Sequence, residues 1–270
     1  MKAIQDIVDD AEVVIITAGA GMGVDSGLPD FRGTHGLWKE YPELGRRDLE
    51  FEDMANPKWF RNDPKLAWAF YGHRFHKYIS IQPHAGFGML LELCEKKEDY
   101  FVITSNVDNQ FQKAAFDLSK IYEIHGSLMH FQCIYGCKRN IWDADPASIQ
   151  VDEERFEATL MPSCPHCGRI ARPNVMMFDD YGWLCDRERR QRKRFESWKR
   201  KVWDRKKKVL IIEVGAGTTV ASIRRISEQL YDKEFHYSKF IRINPRDIEV
   251  PVGANCIKLG GLEGIAQLLK

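Results

Sequence analysis

The sequence predicts an α/β protein, a parallel sheet with helices on both faces. Five short apolar runs rich in β-branched residues recur along the chain, at 13–16, 101–103, 121–124, 209–214 and 240–243. Segments with helical spacing, such as 87–94 and 223–230, separate several of them. Buried strands alternating with helices form parallel sheets covered on both sides. The first run also opens into closely spaced glycines, Gly19, Gly21 and Gly23. Such a turn lets the backbone approach a ligand and present amides to a diphosphate at a helix start. Together these features make the sheet Rossmann-like.

Composition sets the outer limits. A chain of 270 residues can bury a substantial core, as one large domain or a domain with a small module. With 40 basic and 39 acidic residues the formal charge is +1, so no overall attraction to nucleic acid or membrane is expected. No run of 18 apolar residues exists, and residues 1–6 carry no signal-peptide core, so no membrane partner is expected. Seven cysteines, four of them in pairs, suit a reducing, cytoplasmic setting with a bound metal better than a disulfide framework.

Each apolar run leads into chemistry-bearing residues. After the first come the glycines and then Pro29, Asp30, Phe31 and Arg32. The dinucleotide fingerprint G-x-G-x-x-G is not met, because Val24 takes the third glycine's place. An ordinary tight turn would explain the glycines alone; the acid, ring and guanidinium that follow are chemical equipment. The second run leads into Thr104, Ser105, Asn106, Val107 and Asp108, the third into His125 and Gly126. The fourth leads into Gly215, Ala216, Gly217, Thr218 and Thr219, and the fifth ends in Asn244. Ligands collect at the carboxyl ends of parallel strands, so these groups should converge along one edge.

Two insertions interrupt the alternation. Residues 35–83, rich in aromatics such as Trp38, Trp59, Trp68, Phe70, Tyr71 and Phe75, read as a helical lid. Residues 129–169 carry Cys133 and Cys137, then Cys164 and Cys167. Four thiolates suit tetrahedral zinc, and a closed shell leaves no open position, so a structural zinc-ribbon module is expected. His130 or His166 are alternative ligands. The Rossmann-like domain then comprises 1–34, 84–128 and 170–270.

In order, and over nearly the whole chain, these blocks resemble the sirtuin family of NAD-dependent protein deacylases. Residues 19–33 match its GAGxSxxSGIPDFRG, 104–108 its TQNxD, His125-Gly126 its catalytic histidine, 172–178 its RPDVVxFG, 217–219 its GTS and 243–244 its late I-N pair. The resemblance implies an NAD cosubstrate and an acylated-lysine peptide, with release of nicotinamide, free lysine and O-acyl-ADP-ribose. It places Asn106 and Asp108 at the nicotinamide, Asp108 accepting from the carboxamide, and Phe31 and Arg32 at the ribose and phosphate. His125 becomes the base for a ribose hydroxyl, a role suited to an imidazole titrating near neutrality. Gly19, Ala20, Gly21, Asp30, Ser105, Gly217, Thr218 and Asn244 are implied dinucleotide contacts, with Gly261 and Leu262 bordering adenine. Val175, Met176, Met177 and Phe178 are implied peptide contacts, Met176 pairing with the peptide as an added strand.

The chain also departs from the family pattern. Gly23 stands for serine, Ser105 for glutamine, Phe111 for a frequent histidine and Asp179 for glycine, and the first cysteine pair is one residue longer. The Asp179-Asp180 pair either favours a basic peptide or another acyl group, or is a solvated turn. The same motifs also fit a protein ADP-ribosyltransferase or NAD glycohydrolase, or a non-catalytic NAD-responsive module. Residues 187–208 hold thirteen Lys or Arg against three acids, with Trp198 and Trp203 interleaved. They read as a basic amphipathic helix, either a solvated face or a contact for an acidic protein or nucleic-acid phosphate.

Overall fold

The computed structural model describes residues 2–29, 33–235 and 237–270, the side chains of 2, 3, 33–36 and 233 excepted. Its strands are β1 (Val13–Ala18), β2 (Asp99–Thr104), β3 (Ile121–Glu123), β4 (Gly126–Cys133), β5 (Ile141–Asp143), β6 (Gln150–Asp152), β7 (Glu157–Leu160), β8 (Ala171–Val175), β9 (Val209–Val214), β10 (Ser238–Ile243) and β11 (Asn255–Ile257). Six of them form one parallel sheet in the order β11-β10-β9-β1-β2-β3. Every residue of β1 and β9 is buried, which is why these runs show no polar alternation. Counted in chain order, the six strands lie 3-2-1-4-5-6 in space, the Rossmann order, with the reversal between β1 and β9.

Alternate residues of the central strands feed two cores. Val14, Ile16, Leu210, Ile212 and Ile241 meet Phe87, Leu90, Ile265 and Leu268 of the Ala85–Glu95 and Gly261–Leu268 helices. On the other face Val13, Ile15, Phe101, Ile211 and Phe240 meet Phe195, Val202 and Ile223 of the Asp186–Asp204 and Ser222–Gln229 helices. Each fully buried Leu, Ile or Phe contributes about 1.5–3 kcal/mol, so both layers stabilise the sheet.

The two insertions share a third core rather than standing apart. A three-stranded antiparallel sheet, β5-β4-β8, packs against the Pro64–Ser80 helix, and the β6-β7 hairpin closes the same side. Trp68 donates from Nε1 to the Ala171 carbonyl at 3.0 Å and meets Phe131 edge-on. A side chain at Gly72 would strike Ile149 and Val151 at 2.7 and 2.9 Å, so the helix and hairpin approach closely there. The far end of this helix is capped from outside it. Lys113 Nζ donates to the carbonyls of Tyr78, Ile79 and Ile81 at 2.8, 2.8 and 2.7 Å, satisfying groups a helix end leaves bare. No helix among the described residues is long and apolar enough to cross a membrane.

Candidate active site

The switch point between β1 and β9 is built from glycine against glycine. Gly19 N–H donates to the Val214 carbonyl and Gly21 N–H to that of Gly215, both at 3.0 Å. A Cβ on Gly21 would lie 2.7 Å from Gly215 Cα, and one on Gly215, where φ is +62°, would lie 2.3 Å from the Gly21 carbonyl carbon. Only glycine permits this contact. The N–H groups of Gly19 and Gly21 are thus donated within the fold, while Gly19 itself borders the cavity described next.

A cavity of about 550 Å³ opens beside this contact. Its walls include Gly19 and Ala20 after β1, Ser105 to Asp108 after β2, His125 after β3, and Gly215 to Thr219 after β9. Val175 to Phe178 form another side. The carboxyl ends of separate strands therefore meet as the sheet order requires.

Three of the side chains the sequence singled out stand in these walls. Asn106 Nδ2 donates to the Gly19 carbonyl at 3.0 Å, tying the β2 loop to the glycine turn. Asp108 is buried, and burial, reinforced by the charge of Glu123, pushes its pKa up to about 6 against the opposing hydrogen bond from Gln110 N–H. Burial pulls His125 below the usual imidazole range, and its hydrogen bond to the Ser105 main chain opposes that only in part. His125 is held from its C-terminal side by Gly126, whose φ is +81°. A Cβ there would sit 2.1 Å from the Asn174 carbonyl, so only glycine lets β4 start against β8.

The peptide-lining segment is more committed than its sequence implies. The N–H groups of Met176, Met177 and Phe178 donate to the His125 carbonyl, Asp180 Oδ2 and the Ala55 carbonyl at 2.9, 3.2 and 2.9 Å. An added strand could therefore pair here through carbonyls, not through the Met176 amide. Nor is Asp180 an acid offered to a peptide: it lies buried in a two-pronged pair with Arg172 at 2.8 and 2.5 Å. Asp179 adopts φ +52°, which explains why glycine suits this position and why Asp, which tolerates the left-handed region, can replace it.

Other expected contacts sit elsewhere. Asn244 is fully buried; its Nδ2 donates to the Ala216 carbonyl at 2.8 Å and its Oδ1 accepts from Arg246 and Asp247 N–H at 3.0 Å, bracing the β9 and β10 loops together. Leu262 N–H donates to Asp25 Oδ2 at 2.7 Å, so the last helix begins against that carboxylate. Gly21, Asn244, Gly261 and Leu262 are not among the cavity's described walls. Asp30, Phe31 and Arg32 lie outside the described residues.

Tyr71, one of the aromatics of the expected lid, lines the cavity from the Pro64–Ser80 helix together with Arg74 and Tyr78, which the sequence reading missed. Arg74 is buried, donates to Tyr78 Oη at 3.0 Å and lies 5.2–5.7 Å from the rings of Phe51, Phe70, Tyr71 and Tyr78. An arginine within an aromatic helix was the available signal, since a charge is rarely buried without a task.

Away from the cavity, the four paired cysteines form one cluster with all sulfurs within 4.8 Å. Cys133 to Cys167 is 3.7 Å and Cys137 to Cys164 is 3.6 Å. Bonds of about 2.3 Å to tetrahedral zinc put ligand sulfurs about 3.8 Å apart, so the geometry fits that ion. It does not fit a disulfide, which needs about 2.05 Å. The longer first knuckle closes through a left-handed turn at Gly136, whose N–H donates to the Cys133 carbonyl at 3.0 Å. Neither His130 nor His166 belongs to the cluster.

Comparison with known proteins agrees with this geometry. A Thermococcus kodakarensis NAD-dependent protein deacylase is 33% identical over 172 residues, 63% of this chain and 61% of that protein. One from Pyrococcus furiosus is 31% identical over 178 residues, 66% and 65% of the two chains. Each match spans less than two thirds of the relative's length. In fold, the chain is similar to a Sir2 homologue solved with NAD (TM-score 0.71, 24% identity, 100% and 92% coverage). It is likewise similar to a sirtuin solved for substrate affinity (TM-score 0.73, 19% identity, 100% and 98% coverage). Residues 19–211 match the profile of the Sir2 family, and the chain belongs to that family.

Proposed function

We propose that this protein is an NAD-dependent protein-lysine deacylase. One observation carries the reading: Asn106 and Asp108, from the loop after β2, and His125, from the end of β3, face one cavity at the carboxyl edge of a Rossmann sheet. The cavity's volume, about 550 Å³, falls in the range of about 300–1,000 Å³ usual for cofactor and ligand sites. The activity named for the relatives supports the same reading.

NAD, when bound, supplies a ribose carbon that becomes electrophilic as nicotinamide departs and can take up an acyl oxygen. The chain's own groups suit that chemistry. Asp108, ionised above about pH 6, accepts from an amide donor, and Asn106 holds the loop that carries it against the glycine turn. His125, kept neutral by burial, can take a proton from a hydroxyl. Val175 to Phe178 offer an extended edge for the peptide, and Arg74 places a fixed positive charge in the wall. Cys133, Cys137, Cys164 and Cys167 would hold a zinc ion outside the cavity, as a structural tie.

The test is mass spectrometry of NAD products against lysine peptides bearing neutral and carboxyl-ended acyl chains. The expected result is nicotinamide, free lysine and acyl-ADP-ribose in equal amounts, all lost in His125→Ala. ADP-ribose on protein, or released without acyl peptide, would instead assign a transferase or glycohydrolase. NAD binding without nicotinamide release would leave a non-catalytic module.

A further inference from the structure

We infer that the outer face of the Asp186–Asp204 helix docks the phosphate backbone of duplex nucleic acid. The inner face of this helix is accounted for by packing. Glu188 accepts from Tyr122 Oη at 2.6 Å, Gln191 bonds Glu123, and Phe195 and Trp198 lie 5.2 Å from the Phe101 ring. Several cations of the stretch also have structural partners: Arg187 pairs with Glu123, Lys199 with Glu196 and Glu234, Lys207 with Glu12 and Glu98, Lys208 with Asp10.

What remains is a stripe. Arg190, Lys193, Arg200, Lys201, Arg205 and Lys206 are exposed, with no acidic partner within 4.0 Å among the described residues. Positions 190, 193, 197, 200 and 201 follow successive turns of one helix face, so four of these charges share a line with Ser197 between them. At 1.5 Å per residue the row from 190 to 201 is about 16 Å long. In a chain with 40 bases and 39 acids, four unneutralised cations on one helix face, with two more just past its end, are a local concentration, not a general surface property.

The composition of the stripe selects its partner. A protein interface needs apolar or aromatic anchors at its centre, and single strands need rings to stack on. Between Arg190 and Lys201 the outer face offers neither; Trp203, the nearest exposed ring, lies beyond that row. A straight row of charge on a rigid rod fits duplex phosphates, which are bound by counterion release without base contacts.

The test is fluorescence anisotropy of the 270-residue protein with a labelled random-sequence duplex of 24 base pairs. Six phosphate contacts give a slope of log affinity against log salt near −5, about a thousand-fold loss from 50 to 200 mM. The variant Arg190→Gln/Lys193→Gln/Arg200→Gln/Lys201→Gln leaves two cations and should lower the slope to about −2, with an unchanged circular dichroism melt. Absence of binding at 50 mM salt overturns the inference, as does a variant that binds as the parent does. Equal competition by polyglutamate at matched charge would assign an acidic polypeptide instead, and tighter binding of single strands would remove the duplex.

Discussion

Replacing Asp108 by asparagine should stabilise the protein while removing its activity. The carboxyl is buried, and burial raises its pKa from the ordinary 3.8 to about 6. One pKa unit is worth about 1.36 kcal/mol, so a rise of about two units means the folded state bears about 3 kcal/mol of unfavourable ionisation at neutral pH. The sign follows from proton counting. Between pH 3.8 and about 6 the folded protein holds a proton that the unfolded chain has released, so stability falls as pH rises through that window and is level above it. Asparagine keeps an oxygen for the Gln110 N–H and carries no charge. Urea unfolding should therefore show Asp108→Asn more stable than the parent by up to about 3 kcal/mol at pH 7.5, and by under about 0.5 kcal/mol near pH 3.8. A variant less stable at pH 7.5, or an equal difference at both pH values, would refute the idea of an uncompensated buried carboxylate. The same titration shapes turnover: activity should rise with pH through about 6 as Asp108 ionises, while burial moves the loss of the His125 proton below the ordinary imidazole range.

Lys113→Met keeps the aliphatic stem but removes three bonds to the end of the Pro64–Ser80 helix, and should cost about 2–4 kcal/mol in urea unfolding; Lys113→Arg should recover part of it. Gly126→Ala places a methyl 2.1 Å from the Asn174 carbonyl at φ +81°, and should cost about 2–4 kcal/mol while lowering kcat, because His125 is carried on the same turn. Removing metal with a chelator, or substituting Cys137→Ser, should lower the melting temperature and abolish the bound-zinc signal in atomic absorption; an unchanged melt would show that the four sulfurs hold nothing.

How far the sequence reaches is decided by where the information resides. The apolar strands of the sheet and the cysteine knuckles are written in residues next to one another and were readable, β1 and β9 as unbroken apolar runs and Cys133 to Cys167 as paired ligands. The short edge strand β11 and the strands β4 to β8 had no apolar run to mark them. The convergence of Asn106, Asp108 and His125 follows once the strand order is known, because parallel strands deliver their carboxyl ends to one edge. Pairings between remote side chains had no local trace. Asp180 reads as an exposed acid until Arg172 folds beneath it, Asn244 shows nothing of the two loops it braces, and Lys113 shows nothing of the helix end it closes. Arg74 is the instructive case. The helix around it is buried on nearly every side, so its sequence has no polar face to mark which residues look into the cavity. Only the packing of that helix against β4 and β8 leaves Tyr71, Arg74 and Tyr78 facing the cavity. The binding edge of the sheet was thus predictable from strand order, whereas its opposite wall is made by an insertion whose orientation depends on tertiary contacts alone.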